Sequence, residues 1–324
     1  MEHFNLGTLS AKITDEASAY ELLEQMRWDG KPVCPHCGSV AKHYFLNPQN
    51  GGRKTRTGNV SPRRVWKCKD CRKQFSALTG TIMEGSKVKV GTWLHVMYRM
   101  CSSKNGISSR EVQRDYGISM EAAWFLTHRI REAMKRDPIA GMLRGTIVAD
   151  ETWIGPNPKN FRKGKRFQAN HAKGEHKTPV LSLVNHETGE VRSEVVRDVT
   201  ASSLRSVIER EVDLPATVLH TDESTPYVRI GWKAAGHETV THSQSNYVSA
   251  TGATTNHAEG YFAQLKRSLD GTFHAVSREH LHRYLAQFDY LYSTRKLSDS
   301  ERMARLMGQT RGRRLTYRPM IGKA

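Results

Sequence analysis

GTIVADETWIG, residues 145–155, is where the periodicity of the chain changes from helical to alternating. Apolar side chains at every second position are typical of a β-strand, and this strand carries Asp150 at its end with Glu151 on the opposite face. ATVLHTDEST at 216–225 is a second apolar strand that ends in polar residues, among them Asp222. An unpaired carboxylate at the edge of a core costs several kcal/mol, so two such strand ends indicate a functional site.

The elements around these two strands predict the fold class. TPVLSLVNHETGEVRSEVVRDV (178–199) has the pattern of a β-hairpin, ASSLRSVIEREV (201–212) that of a helix, and HETVTHS (237–243) that of a short strand. Three antiparallel strands followed by helix-linked strands make an α/β layer with a mixed sheet. Open α/β sheets place their sites at the carboxyl ends of strands, where Asp150 and Asp222 are expected.

A third carboxylate comes from TTNHAEGYFAQLKRSL, residues 254–269. One apolar stripe repeats there at helical steps of three and four residues: Ala258, Tyr261, Phe262, Leu265 and Leu269. Glu259 and Lys266 lie at the edge of that stripe, almost one above the other. Taken alone, Asn256 is most simply an N-cap with Glu259 as its capping-box partner. Together with the two aspartates, Glu259 gives three carboxylates that are able to converge.

Three converging carboxylates have the chemistry of a hard-cation site. Oxygen ligands suit Mg²⁺ or Mn²⁺, held together with waters and substrate phosphate oxygens. Two such ions ~4 Å apart hold the attacking and leaving oxygens of an in-line phosphoryl displacement. Lys266 stands ~10 Å beyond Glu259 along the helix axis, where it could hold a DNA phosphate. We therefore expect two Mg²⁺ or Mn²⁺ ions per site.

A separate metal centre is predicted near the N-terminus. VCPHCGS (33–39) and WKCKDCRKQF (66–75) each contain a Cys-x-x-Cys knuckle, and four thiolates that converge tetrahedrally hold one structural zinc. The expected ligands are Cys34, Cys37, Cys68 and Cys71. Between the knuckles, a Gly- and Arg-rich tip at 47–64 is either a solvated loop or a contact to DNA phosphates. The candidate DNA contacts there are Arg53, Lys54, Arg56, Arg63 and Arg64.

Residues 107–135, ISSREVQRDYGISMEAAWFLTHRIREAMK, have the pattern of a helix-turn-helix. A serine at 108 or 109 caps a short helix, Gly117 makes the turn, and Ser119 caps a longer helix. Two short helices joined by a glycine turn also occur in ordinary helical bundles, so the pattern is only moderately specific. On the second helix we expect three exposed residues to face DNA: His128, Arg129 and Arg131.

The charge of the chain favours a polyanionic partner. Fifty Lys and Arg against 32 Asp and Glu give a net charge of +18, and nucleic acid is the commonest cytoplasmic polyanion. Nine basic residues cluster at 295–324 with two acidic ones, in a tail mostly without periodicity. No apolar run approaches the length of a membrane span, and the start of the chain lacks the pattern of a signal peptide. We therefore expect a cytoplasmic protein that binds nucleic acid.

These motifs resemble those of insertion-sequence transposases of the DDE type, specifically the prokaryotic ISXO-like group. The resemblance covers roughly residues 15–295 and rests on CPHCGS, KCKDCRKQFSALTGTIMEGSK, ADETWIG, LHTDES, TNHAEGYFAQLKRSLDGTFH and HLHRYLAQFDYLY. It implies an RNase H-like catalytic domain in which Asp150, Asp222 and Glu259 bind Mg²⁺ and Lys266 is the basic residue after the third ligand. Members of the group differ over whether Asn or Glu completes the triad, so Asn256 stays the alternative third ligand.

The resemblance and the patterns together predict five parts. These are an N-terminal helix (1–30), a zinc ribbon (31–89), a helix-turn-helix DNA-binding domain (90–140), an RNase H-like DDE catalytic domain (145–295) and a basic C-terminal arm (296–324). The expected function is a transposase that binds the terminal inverted repeats of its element, cleaves DNA and joins it to target DNA as a homodimer or higher assembly. Two alternatives stay open: a zinc-ribbon transcription regulator without catalysis, and an RNase H-like nuclease that cuts DNA junctions or RNA.

Overall fold

A computed structural model describes residues 3–46, 58, 63–137, 139–155, 177–240 and 256–321. The chain divides into two compact units, Met1–Met134 with Leu297–Ala324, and Lys135–Lys296. None of the helices in the described part of the chain is both long enough and apolar enough to cross a membrane.

The first unit begins with two helices and a small sheet. Helices α1 (Leu6–Lys12) and α2 (Glu16–Trp28) each start with a reciprocal capping box, in which the N-cap side chain and the third helical residue satisfy each other's backbone N–H. Strands β1 (His43–Phe45), β2 (Trp66–Cys68) and β3 (Gln74–Phe75) pair antiparallel in that order. The last residue of α2, Trp28, packs edge-on against Trp66 and Phe75, which joins α2 to this sheet.

Three further helices complete the N-terminal part of this unit: α3 (Val90–Ser102), α4 (Ser109–Tyr116) and α5 (Met120–Met134). Ser108 caps α4 in a capping box with Glu111, and Gly117 ends it in the left-handed conformation with φ of 59°. Ser119 accepts the backbone N–H of Ala122 at 3.1 Å, at the start of α5. The two helices, their caps and the glycine turn thus lie where the sequence predicts them.

The second unit contains a mixed five-stranded sheet. Its strands are β4 (Leu143–Ile154), β5 (Thr178–Asn185), β6 (Val191–Val195), β7 (Val212–Asp222) and β8 (Gly236–Val240), in the spatial order β6-β5-β4-β7-β8. The pairs β6–β5 and β5–β4 are antiparallel, whereas β4–β7 and β7–β8 are parallel. The predicted α/β class with a mixed sheet is therefore confirmed.

Helices cover both faces of this sheet. One face is covered by α6 (Ala201–Glu211) and α7 (Thr225–Gly231), which share an apolar core with Ile147 and Leu219 of the sheet. The other face is covered by α8 (Asn256–Ser268) and α9 (Arg278–Ser293), whose core includes Val148. Side chains alternate along a strand, so these two cores show which face each residue of β4 and β7 belongs to.

The C-terminal part of the chain differs from the expected basic arm. Residues 299–308 form helix α10 (Asp299–Gly308), which starts with a capping box between Ser298 and Glu301, and a short helix α11 (Tyr317–Met320) follows. Met303, Leu306 and Met307 of α10 are buried. The prediction of a tail without periodicity was wrong, because three apolar residues at helical spacing pack α10 into the first unit, against α2, α3 and α5.

Candidate active site and zinc centre

Asp150 and Asp222 lie side by side on two neighbouring parallel strands. Val148 of β4 is paired with His220 of β7, and the same register continued by two residues places Asp150 opposite Asp222. Because Val148 belongs to the core under α8 and α9, the alternation along β4 directs Asp150 to that same face. Both aspartates are partly exposed. Two carboxylates are thus held together at one edge of the core.

Each of these aspartates also accepts a backbone hydrogen bond from its own loop or strand. Asp150 accepts the N–H of Glu151 at 2.7 Å, and Asp222 accepts the N–H of Ser224 at 3.0 Å in the turn that leads into α7. These local bonds limit the directions in which the carboxylates can point. The oxygen donor set fits a divalent hard cation.

Glu151 lies on the opposite face of β4, beside Tyr227 of α7. Burial raises the pKa of Glu151 to about 7 against the opposing effect of the Tyr227 hydroxyl, and the nearby charges of Asp150 and Asp222 raise it further. Burial likewise raises the pKa of Tyr227 well above its usual value, with Glu151 acting in the same direction. Glu151 therefore lies on the face away from α8, as predicted, and it responds to the negative charge of both aspartates.

The third candidate ligand lies on α8. Glu259 is exposed in the first turn of that helix, which packs over β4 and β5, and Lys266 is exposed on its last turn. Asn256 is the first described residue of α8, so its capping role stays a prediction. Among the described residues, the carboxylate oxygens of Asp150, Asp222 and Glu259 do not all lie within 4.8 Å of one another. The structure thus brings the two aspartates together and places Glu259 on the helix that covers their face.

The four predicted zinc ligands do converge. The Sγ atoms of Cys34, Cys37, Cys68 and Cys71 all lie within 4.8 Å of one another. Two of the sulfur–sulfur distances are 3.6 Å and 3.7 Å. Sulfurs placed 2.3 Å from zinc at the corners of a tetrahedron would lie about 3.8 Å apart, so the cluster fits one zinc ion.

Local backbone geometry explains why these cysteines converge. The turns after Cys37 and Cys71 take positive φ angles, 75° at Gly38 and 61° at Arg72. Desolvation raises the pKa of Cys68, but backbone N–H groups of Cys71 and Asp70 outweigh it and lower that pKa to about 7. Such N–H groups stabilise thiolates, the form that binds metal. All four positions are filled by protein, which is typical of a structural zinc and leaves no open position for chemistry.

Comparison with known proteins agrees with this geometry in both units. The family model of the ISXO2-like transposase domain matches residues 142–293, which contain the whole mixed sheet and helices α8 and α9. Residues 142–293, just under half of the chain, therefore match an ISXO2-like transposase domain. A transposase zinc-ribbon domain matches residues 14–74, which contain all four cysteines. The chain is also similar to a protein described as an uncharacterized protein in transposable element ISH50 of Halobacterium salinarum, with 26% identity over 285 residues, 84% of this chain and 89% of that protein.

The DNA contacts predicted on α5 are contradicted by burial. His128 and Arg131 are 0% exposed and Arg129 is 3% exposed, so none of them faces solvent as expected. Arg129 donates to the carbonyl oxygen of Glu84 and stacks over Trp93, and Arg131 donates to Thr127 Oγ1 at 3.3 Å. The helical pattern predicted the helix correctly but did not show that other parts of the chain cover this face.

The predicted contacts in the zinc ribbon divide into three cases. Arg64 is occupied by protein, because it donates to Glu21 at 2.8 Å and Glu24 at 2.9 Å and lies over the ring of Phe45. Arg63 is exposed and remains a candidate phosphate contact. Three further candidates lie outside the described residues: Arg53, Lys54 and Arg56.

Two buried polar residues of the second unit were not singled out by the sequence analysis. Tyr227 follows the polar end of β7 by five residues, in the first turn of α7, directly after Pro226. Asp289 interrupts the apolar pattern of α9, and it accepts hydrogen bonds from Tyr261 and Ser193. The available signal in both cases was a polar group at a position that the helix or strand would bury.

Proposed function

We propose that this transposase binds the terminal inverted repeats of its insertion sequence, cleaves the DNA strands there and joins them to target DNA. The main support is the alignment of Asp150 with Asp222 on two neighbouring parallel strands, on the face covered by the helix that carries Glu259. Neither a binding module nor a scaffold protein requires two carboxylates at a core edge, where their charges repel each other.

Asp150, Asp222 and Glu259 hold two Mg²⁺ or Mn²⁺ ions in this proposal. Two ions held there would supply activation of a water or a DNA 3′-hydroxyl and stabilisation of the departing oxyanion. The local hydrogen bonds to Asp150 and Asp222 orient their carboxylates before substrate arrives. Lys266, exposed on the last turn of α8, contacts a DNA phosphate in this proposal. Glu259 is the third ligand and Asn256 the alternative.

The substrate and the assembly follow from the same proposal. The zinc ribbon and the helix-turn-helix domain, through residues other than the buried His128, Arg129 and Arg131, form the DNA-binding part and recognise the ends of the element. Two element ends must be held together for strand transfer, which requires a homodimer or a higher assembly on DNA. A DNA substrate also places the protein in the cytoplasm, at the bacterial nucleoid. The net charge of +18 favours such binding at low ionic strength.

The decisive experiment is an Asp222→Asn variant assayed with Mg²⁺ and DNA that contains the element ends. Cleavage should be lost while DNA binding is retained, because the amide cannot replace the charge of the carboxylate as a metal ligand. Asp213→Asn is the matched control, since it makes the same change at the start of the same strand, where Asp213 pairs with Arg144. Cleavage by Asp222→Asn at the rate of the control would rule the assignment out.

The same assay separates the other functions. A transcription regulator would bind specific DNA in both variants without any metal-dependent cleavage. A junction or RNA nuclease would cut structured substrates but would not join the released 3′ ends to a target. Separate Glu259→Gln and Asn256→Ala variants identify the third ligand, since only loss of a metal ligand abolishes cleavage while leaving DNA binding unchanged.

A further inference from the structure

The segment that follows α10 is attached to the first unit along its length. Ile82 donates its N–H to the carbonyl oxygen of Thr310 at 3.1 Å, and Gly312 donates to that of Gly80 at 2.8 Å. Thr81 and Arg311 form an antiparallel bridge between these two bonds. Residues 309–318, here named the C-terminal arginine segment, therefore pair with the chain that leaves the zinc ribbon.

The same segment lies against α5. Arg313 donates to the carbonyl oxygens of Glu132 and Ala133 at 3.1 Å and 3.3 Å, at the C-terminal end of that helix, where a cation is favoured. Further along, the ring centroid of Tyr317 lies 5.4 Å from that of Phe125. The segment thus contacts the helix that the sequence analysis assigned to DNA, at residues other than the three predicted contacts.

Several arginines of this segment point outward. Arg311, Arg314 and Arg318 are exposed, and Arg314 reaches Glu84 at 3.4 Å. Burial lowers the pKa of Arg27 to about 10 and Arg311 lowers it further; burial lowers the pKa of Arg129 to about 10 with Arg314 acting in the same direction. Exposed positive charge at this surface favours a polyanionic partner.

We infer that the C-terminal arginine segment is a DNA-phosphate contact of the first unit, in place of the buried arginines of α5. The inference rests on the proposed DNA-binding function and adds to it a surface that lies far from the zinc ribbon and α5 in sequence. Guanidinium groups suit phosphates because they donate two hydrogen bonds in one plane. The partner is the backbone of double-stranded DNA, read without regard to base sequence.

The test compares full-length variants that carry three substitutions, Arg311→Ala, Arg314→Ala and Arg318→Ala, or the same three positions changed to Lys. Binding to a duplex of the element end is measured by fluorescence anisotropy at several salt concentrations. The alanine variant should lose on the order of tenfold in affinity, and its log–log salt slope should shrink by up to about 2.7. The lysine variant should keep most of the slope. Arg305→Ala, an exposed arginine of α10, is the control and should bind as wild type.

The segment could have the opposite role: it would cover α5 and would have to leave it before DNA binds. A further variant tests this alternative. Tyr317→Ala weakens the contact with α5, so it should bind DNA no more tightly than wild type. Tighter binding by Tyr317→Ala, or an unchanged slope in the triple alanine variant, overturns the inference and leaves the proposed function standing. Wild-type protein that fails to bind the duplex overturns both.

A second inference concerns a row of polar residues that crosses the sheet of the other unit. Asp150 is paired with Ser182 on β5, and Ser182 is paired with Ser193 on β6, so all three share one face. The two serine hydroxyls lie 2.8 Å apart. Ser193 then donates through N–H and Oγ to Asp289 of α9, at 2.8 Å and 2.7 Å.

The row ends on the helix that carries Glu259. The hydroxyl of Tyr261, two residues after Glu259 on α8, donates to Asp289 at 2.6 Å and lies 3.1 Å from Ser193 Oγ. Tyr261 is 1% exposed, so this bond is shielded from water and ties α8 to the sheet. We propose that Tyr261 and Asp289 are positioning residues, which set Glu259 relative to Asp150.

A double-mutant cycle on metal binding tests this role without relying on activity. Mn²⁺ affinity of the full-length protein is measured by electron paramagnetic resonance for Tyr261→Phe, Glu259→Gln and the double variant. Tyr261→Phe should weaken binding several-fold, and it should have no further effect when Glu259 is already Gln. Tyr284→Phe, in the same core, is the control and should bind Mn²⁺ as wild type.

The possible results separate the two proposals. An effect of Tyr261→Phe that is equally large in the Glu259→Gln background overturns the positioning role, because it would act independently of Glu259. Unchanged Mn²⁺ affinity in Tyr261→Phe overturns it as well. If Glu259→Gln alone leaves the affinity unchanged, then Glu259 is not the third ligand and both that assignment and the positioning role are wrong.

Discussion

The zinc centre and the carboxylate site are assembled in opposite ways. The four cysteines come from two short knuckles next to one small sheet, and their sulfurs already lie within 4.8 Å of one another. The carboxylates come from two strands and a covering helix, and only the pairing of β4 with β7 brings Asp150 beside Asp222. The difference shows that a closed structural site is completed by local turns, whereas an open site depends on the register of distant elements.

Removal of one cysteine should have the largest effect. A Cys68→Ser variant should lose the zinc, about one ion per chain in wild type, and with it most of the stability of β1–β3, since structural zinc contributes on the order of 10 kcal/mol to such small domains. The backbone amides of the mixed sheet should keep their protection from hydrogen exchange. Metal analysis and hydrogen–deuterium exchange measure the two parts separately, and equal loss of protection in both units would contradict the contrast drawn above.

Removal of one aspartate should have a large effect on chemistry and little on structure. An Asp150→Asn variant should lose at least about a thousandfold in the rate of DNA cleavage, or roughly 4 kcal/mol. Its zinc content and melting temperature should match those of wild type. Glu151→Gln, the neighbour on the opposite face, is the matched control and should retain most of the rate. A larger loss in the control than in Asp150→Asn would show that the strand register is wrong.

Two neighbouring arginines of the zinc ribbon should separate structural from DNA-binding roles. Arg64→Ala removes two ion pairs and a contact with Phe45, so it should lower the free energy of unfolding by about 1–3 kcal/mol. Arg63→Ala removes a 3.4 Å hydrogen bond to Ser76 from an exposed position, so it should lower stability less than Arg64→Ala and reduce the salt slope of DNA binding by about 1. Urea unfolding and anisotropy titrations distinguish the two, and a reversed pattern would contradict these roles.

The smallest predicted effect is a dependence of the free energy of unfolding on pH, caused by Asp289. Burial raises the pKa of Asp289 from 3.8 to about 7 despite its hydrogen bonds from Tyr261 and Ser193. The folded state therefore favours the protonated carboxyl, and this contribution to stability is lost as pH rises from about 4 to about 7. In wild type, the free energy of unfolding should fall between pH 5 and pH 8 by on the order of 1–3 kcal/mol through Asp289, and Asp289→Asn should remove this fall. Urea unfolding at pH 5 and pH 8 measures it, and identical slopes in variant and wild type would refute it.

Much of the local structure was predictable because its causes are local. The capping serine at 108, the left-handed Gly117 and the helix that follows were read directly from residue types. The strand ends at Asp150 and Asp222 and the mixed sheet followed from alternation and the order of elements. The helix at 299–308 was missed although it has a capping box and three apolar residues at helical spacing, because the basic composition of the tail hid them.

The sequence by itself determined the four zinc ligands, the caps and turns, and which residue types end each buried strand. Those features depend on neighbours a few residues away. Only the tertiary structure decided that Arg129 and Arg131 are buried, and Arg129 contacts Glu84 and Trp93, which lie more than 35 residues away in the sequence. It also decided that Asp150 and Ser182 share a row that leads to Tyr261. Helical periodicity assigns a residue to a face, but contacts between distant segments determine whether that face meets water, protein or DNA.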